Sequence, residues 1–369
     1  MFLLIGIFMM WLMIFGVGCL YYGIVNKEKE EHIIKIFTLS ILIATLTWLF
    51  GAYFIAFEGK FDTILSLNDN NFDKIINILF QLCFCLYAVV MLIGSVIDRI
   101  TLKQVIIIVP IWVVFVYTPL VNFFWTDSGF INKLGALDFS GGMVVHLSAG
   151  ISSFILALIL GKSNTKSSKP RNAWIYIGMV FITLGWFMFN AGPVGELNGE
   201  SALILLKSLL AIIAGGISWT LGNYILEKDI QTDILLNGMI VGLVTSTSSV
   251  GYVNTFQIIL IVFFAGFFTY FIMKSINKKF EFDDVVDSFA MNGFGGLLGS
   301  LGTILFIKNI FIGQLVGIFI TVLLSVVVTF IVAKIVNRNA RDIILANERI
   351  SSYDKEKIVT LEEFEKNLT

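Results

Sequence analysis

The chain contains two histidines, and they stand in opposite surroundings. His32 lies in NKEKEEH, a charged turn where an imidazole is solvated at no cost and reads as a surface residue. His146 lies inside an apolar stretch, in GALDFSGGMVVHLSAG. A neutral imidazole carries one donor and one acceptor, which suits a small polar solute held in a narrow passage. Taken alone, a buried histidine is more often a satisfied core residue than a site. Its neighbours favour a site: Gly141, Gly142 and Gly150 let another helix or a pore approach closely, and Asp138 stands where a carboxylate can cap free N–H groups at a helix start. Other chemistry is poorly served. Cys19, Cys83 and Cys85 form no CxxC pair and sit in apolar runs as small hydrophobes. No nucleophile pairs with a base and no metal-ligand cluster is present, so an enzyme and a metal site are not expected.

These residues must be carried by membrane helices. Of 369 residues, 57% are hydrophobic and 14% charged, where soluble domains run near 45–50% and about 25%. That excludes a soluble globular protein, a collagen, a coiled coil and a disordered chain. A net charge of −1 gives no reason to expect nucleic acid. The Gly-rich segments lie within apolar stretches rather than after a strand, so no phosphate-cradling loop and no nucleotide cofactor are expected.

A span needs about 20 helical residues. Eleven stretches qualify, near 2–24, 33–57, 75–97, 104–124, 140–161, 172–194, 201–225, 232–250, 254–275, 286–306 and 310–336. The first reads as a span rather than a secretory leader, because no basic residue precedes it. Odd-numbered connections and their flanks hold Lys27, Lys29, Lys35, Arg99, Lys103, Lys162, Lys166, Lys169, Arg171, Lys228, Lys274, Lys278 and Lys279. Even-numbered ones hold Lys60, Lys74, Lys133 and Lys308, and Lys334, Arg338 and Arg341 follow the last span. Basic residues stay on the cytoplasmic side, so the N-terminus is expected outside and the C-terminus inside. Eleven spans divide into two five-helix halves plus one, and a step of five reverses direction, making the halves inverted copies. Residues 1–336 thus form a membrane domain and 337–369 a charged cytoplasmic tail. In that tail Thr360 and Glu363 fit a capping box, with Leu361 and Phe364 on one face, as an alternative to a loosely ordered segment.

GALDFSGGMVVHLSAG closely resembles the signature segment of the ammonium transporter, methylammonium permease and Rhesus family. LGWFMFNAGPVGELN at 184–198 resembles that family's sixth-span WFxFNxG segment, and FQLCFCLYAVVMLIGSVIDRI at 80–100 its third span. DDVVDSFAMNGFGGLLGS at 283–300 is similar to its tenth-span start, and GVGCLYYG at 16–23 to part of its first span. The resemblance implies an ammonium-transporter-like fold, a homotrimer in the cytoplasmic membrane with one pore per subunit, and ammonium, ammonia or methylammonium as the solute. It implies that Trp125 and Asp138 form the outer recruitment site, with Thr247 beside the vestibule. It further implies that Phe84 and Phe189 form a phenyl gate, that His146 lines the pore and that Asp287 is the structural carboxylate of the tenth span.

Departures from the family bear on mechanism. Where the family places a second pore histidine, this chain has Asn292, which can hydrogen-bond ammonia but does not titrate. Lys207 lies inside the seventh span in ALILLKSLLAII; it either snorkels to the outer interface or places its amine beside the vestibule, repelling or mimicking ammonium. Pro193 stands where a small hydroxyl residue is common near the recruitment site, and either weakens coordination or only shapes the helix end. The tail lacks the Gly- and His-containing motif used to dock PII-type regulators, so such a partner is not expected. Two functions follow from the sequence: a transporter or channel for ammonium, or a non-transporting ammonium receptor of the same fold.

Overall fold

The computed structural model describes residues 1–163, 169–230, 232–280 and 283–366, and of 232–233, 277–280 and 339–366 the backbone course alone. Lys166 therefore lies outside the described residues, as do the side chains of Lys278, Lys279, Arg341, Thr360 and Glu363. Every regular element among the described residues is helical.

Among the described residues, ten helices are long and apolar enough to cross a membrane, and an eleventh apolar helix is shorter. In chain order they are Phe2–Ile24, Lys27–Glu58, Asp69–Val96, Leu102–Lys133, Gly142–Leu160, Asn172–Val194, Gly199–Glu227, Ile234–Ser246, Thr255–Ile276, Phe289–Phe306 and Phe311–Arg338. They are numbered one to eleven below. The eighth is short because residues 247–251, crowded with Ser and Thr, leave the helix for turns. Hydroxyl side chains compete for backbone groups there: Ser246 Oγ donates to Leu243 O and Thr247 Oγ1 to Val244 O. The fourth span departs from regular α-helix for a different reason. Pro110 lacks an N–H, and a widened π turn at Val113–Tyr117 follows it. The last helix runs on without a break to Lys366, so no separate helix begins at Thr360.

The first and sixth spans form the most extensive pair, each the first of its half. The expected inverted repeat is visible in mirrored contacts. Phe139 N, just before the fifth span, donates to Ser248 O at the end of the eighth (3.2 Å); Val285 N, just before the tenth, donates to Ser95 O at the end of the third (3.5 Å). Side chains repeat the pattern. Ser248 Oγ and Ser300 Oγ of the tenth span share a hydrogen bond at 2.8 Å, and Ser153 Oγ of the fifth donates to Ser95 Oγ at 2.7 Å.

Candidate functional site

The site is assembled where the fifth and tenth spans begin. Each starts with a carboxylate, a left-handed residue three positions on, and a π turn that carries a polar side chain eight positions on. In the fifth span these are Asp138, Gly141 (φ 98°) and His146, within the turn Gly142–Leu147. In the tenth they are Asp284, Asp287 (φ 53°) and Asn292, within Phe289–Phe294. Both Asp138 oxygens accept from Met143 N at 3.1 Å, and Oδ2 also accepts from Val144 N at 2.9 Å. Asp284 accepts from Ser288 N at 3.0 Å and Phe289 N at 2.8 Å. A negative charge at a helix start meets the positive end of the helix dipole, and these N–H groups have no partner inside the helix. The carboxylate role expected of Asp287 therefore falls to Asp284. Asp287 occupies the left-handed position matching Gly141, where Asp is tolerated because its short side chain can bond locally.

The two turns face each other through glycine. A Cβ on Gly150 would strike the backbone of Gly293, so only glycine lets the fifth span come this close to the tenth. Across this contact His146 Nδ1 lies 2.9 Å from Asn292 Oδ1. Asn292 Nδ2 donates to Ser288 O at 3.0 Å, which turns the amide oxygen toward the imidazole. An amide oxygen only accepts, so Nδ1 carries the hydrogen and, in the neutral ring, Nε2 carries the lone pair. Nε2 is buried with no hydrogen-bond partner.

Aromatic rings enclose the imidazole. Trp186 stacks on it at 5.3 Å with planes 7° apart, and Tyr87 and Phe189 each approach at 5.9 Å. Phe84 and Phe189 lie ring to ring at 4.3 Å, with planes 38° apart. Phe84 also meets Trp125 edge-on at 5.6 Å. Above these rings a cavity of about 420 Å³ opens on the face formed by the even-numbered connections, lined among others by Phe84, Trp125, Asp138, Phe139, Pro193 and Tyr252. Trp125 Nε1 donates to Asp138 O at 2.9 Å, which fixes the indole in the cavity wall. The Asp138 carboxylate itself is turned back to the helix N–H groups rather than into the cavity.

Two placements differ from expectation. Thr247 is fully buried and does not line the cavity; its carbonyl accepts from Ser140 N at 2.9 Å and Ser140 Oγ at 3.1 Å. It belongs to a buried polar network in which Ser140 Oγ donates to Asn190 Oδ1 and Asn190 Nδ2 donates to Ser208 and Ser246. Lys207 neither snorkels nor reaches the cavity: it is 4% exposed, and Nζ donates to Val250 O at 2.9 Å. A cation thus meets the carbonyl end of the broken eighth span, the favoured sign for a helix C-terminus.

Sequence reasoning missed Trp186, Asn190, Ser288 and Asp284. The last was accessible, since the spacing from Asp138 to His146 recurs from Asp284 to Asn292. Among the described residues no group of His, Cys, Asp and Glu could hold a metal ion.

The profile described as the Ammonium Transporter Family matches residues 1–357. An ammonium transporter of Bacillus subtilis is 31% identical over 314 residues, covering 81% of this chain and 78% of that protein. The ammonium transporter Amt1 of Archaeoglobus fulgidus is 29% identical, covering 83% and 81%. Among solved structures, Mep2 of Candida albicans superposes with a TM-score of 0.78 at 25% identity, covering 90% of this chain and 82% of that one. A structure titled Sensor Amt Protein gives 0.82 at 22% identity, with 92% of each chain covered.

Proposed function

Because the chain belongs to the ammonium transporter family, we propose that it conducts ammonium or ammonia through a pore running past the Phe84–Phe189 pair to His146. The observation that carries this reading is the buried imidazole with its Nε2 unpartnered and its Nδ1 tied to Asn292. In an apolar surround, a lone acceptor is an open position for an N–H donor, and leaving it empty costs about 1–3 kcal/mol.

The steps follow from the groups present. The indole of Trp125 attracts a cation in the vestibule, by about 0.5–2 kcal/mol. The two phenyl rings part and close behind the solute, excluding water. At His146, Nε2 accepts an N–H of the solute. Ammonium can hand this nitrogen a proton, but the proton goes no further: Asn292 Oδ1 already accepts the Nδ1 hydrogen, and an amide does not titrate. The species that leaves is therefore neutral ammonia, with the proton released back to the vestibule side, or the intact cation. Methylammonium, with one methyl group more, is a candidate second solute.

The protein works in this reading as a homotrimer in the cytoplasmic membrane, N-terminus outside and C-terminus inside, with residues beyond 336 as a cytoplasmic tail. No enzymatic step is part of it. The dead-end proton path favours a second reading, in which vestibule occupancy is reported rather than relieved by transport. Current in proteoliposomes under an ammonium gradient, with a potassium gradient as control, separates the two. Ammonium-specific current supports transport; current with both ions marks an unselective cation channel. Saturable ammonium binding with neither current nor an internal pH change beyond that of protein-free liposomes establishes a receptor, whereas such a pH change without current marks passage of neutral ammonia.

A further inference from the structure

An open groove of about 750 Å³ lies between the ends of the fifth and eleventh spans, away from the pore. Its apolar wall is exposed: Leu158 and Phe330 are each 47% accessible and Ile335 56%. Its polar end carries two cations, Lys334 and Arg338, one helical turn apart on a stripe that begins with Phe330. Lys334 Nζ sits 5.4 Å from the centre of the Phe330 ring, and neither cation is in an ion pair among the described residues. The carbonyl end of the fifth span, which would repel an anion, is covered there: Asn337 Nδ2 donates to Ile159 O at 3.1 Å.

From this geometry we infer a binding site for an anionic phospholipid of the surrounding leaflet, its phosphate between Lys334 and Arg338 and one acyl chain along Phe330, Ile335 and Leu158. The placement decides the occupant. Residues 309–333 contain no charge, so Lys334 and Arg338 are the first cations met on leaving the hydrocarbon layer along this helix. That depth is where phosphate headgroups lie, and a bilayer supplies both the acyl chain and the anion. A free phosphate would leave the apolar half of the groove bare.

The test uses the full chain in a neutral detergent, with native mass spectrometry to follow binding of phosphatidylglycerol and of phosphatidylcholine with matched acyl chains. The expected result is tighter binding of the anionic lipid, with the difference falling roughly five-fold per cation removed in Lys334→Gln and Arg338→Gln. Both side chains are exposed, so the fold should persist. Leu158→Trp, which fills the groove and keeps both cations, should weaken both lipids together. Equal binding of the two lipids, or a preference that survives the double substitution, overturns the site. Competition by inorganic phosphate as effective as by the lipid would show a free-anion site and overturn the lipid assignment.

Discussion

A single amide decides how the pore histidine behaves. Asn292 presents an oxygen to His146 and so holds the imidazole in one tautomer, with the acceptor nitrogen left for the solute. Removing that nitrogen should remove the interaction: His146→Ala is expected to cut ammonium flux roughly ten-fold or to erase discrimination against potassium, read as liposome current. Flux and selectivity both unchanged would exclude His146 from the path. Asn292→His gives the proton a second titratable group, and ammonium current should then show proton coupling, measured by reversal potential against a pH gradient. At this scale the sequence was informative where chemistry is rare. Two histidines in a hydrophobic chain and an asparagine at a recognisable position announce themselves; Trp186 does not, and Phe189 does so only through the family resemblance, because a chain with 35 Phe and 7 Trp gives aromatic rings no contrast.

Among the helices, much depends on how breaks are terminated. The paired carboxylates at the starts of the fifth and tenth spans satisfy N–H groups that a membrane interior leaves no water to satisfy. Asp284→Ala is expected to lower stability by about 1–2 kcal/mol, visible as a lower melting temperature in detergent. Asp287→Gly should cost less than Asp284→Ala, because glycine enters the left-handed region freely and offsets part of the loss of the carboxylate. The reverse order of effects would restore Asp287 as the structural carboxylate. Lys207→Met leaves Val250 O unpaired in the interior, at a cost of about 1–3 kcal/mol. Val250 adjoins the turn that carries Tyr252 in the vestibule wall, so weaker ammonium affinity should accompany the loss, measured as a raised KM. A changed maximal flux at unchanged KM would contradict this. Span positions were legible because apolar length is a strong signal; the early end of the eighth span was not, since Ser and Thr suit a helix or a turn until neighbours choose. Lys207 was misplaced for a similar reason: sequence shows a charge at membrane depth but not the carbonyl that receives it.

For the molecule as a whole, parity predicted two inverted halves, and the mirrored contacts of Phe139 with Ser248 and Val285 with Ser95 show them. Direct comparison of the halves as sequences conceals the relation, because few residue identities are retained beside the two carboxylates, among them Gly150 and Gly296 at the same distance from Asp138 and Asp284. Orientation remains testable at this scale. Single cysteines placed at exposed Lys60 and Lys103, on opposite faces, in a background lacking Cys19, Cys83 and Cys85 should react with an impermeant thiol reagent from outside and from inside the cell respectively. Labelling of both from the same side would contradict the topology. The mirrored starts of the fifth and tenth spans have a consequence for traffic. Two identical halves facing opposite ways would make a tunnel with no preferred direction. Here one half carries an imidazole and the other an amide, so two side chains add a polarity of their own to that of the vestibule, which opens on one face. Exchanging them, His146→Asn with Asn292→His, should change the current–voltage relation in liposomes and leave the fold as it is; an unchanged relation would show that neither side chain contributes to the polarity.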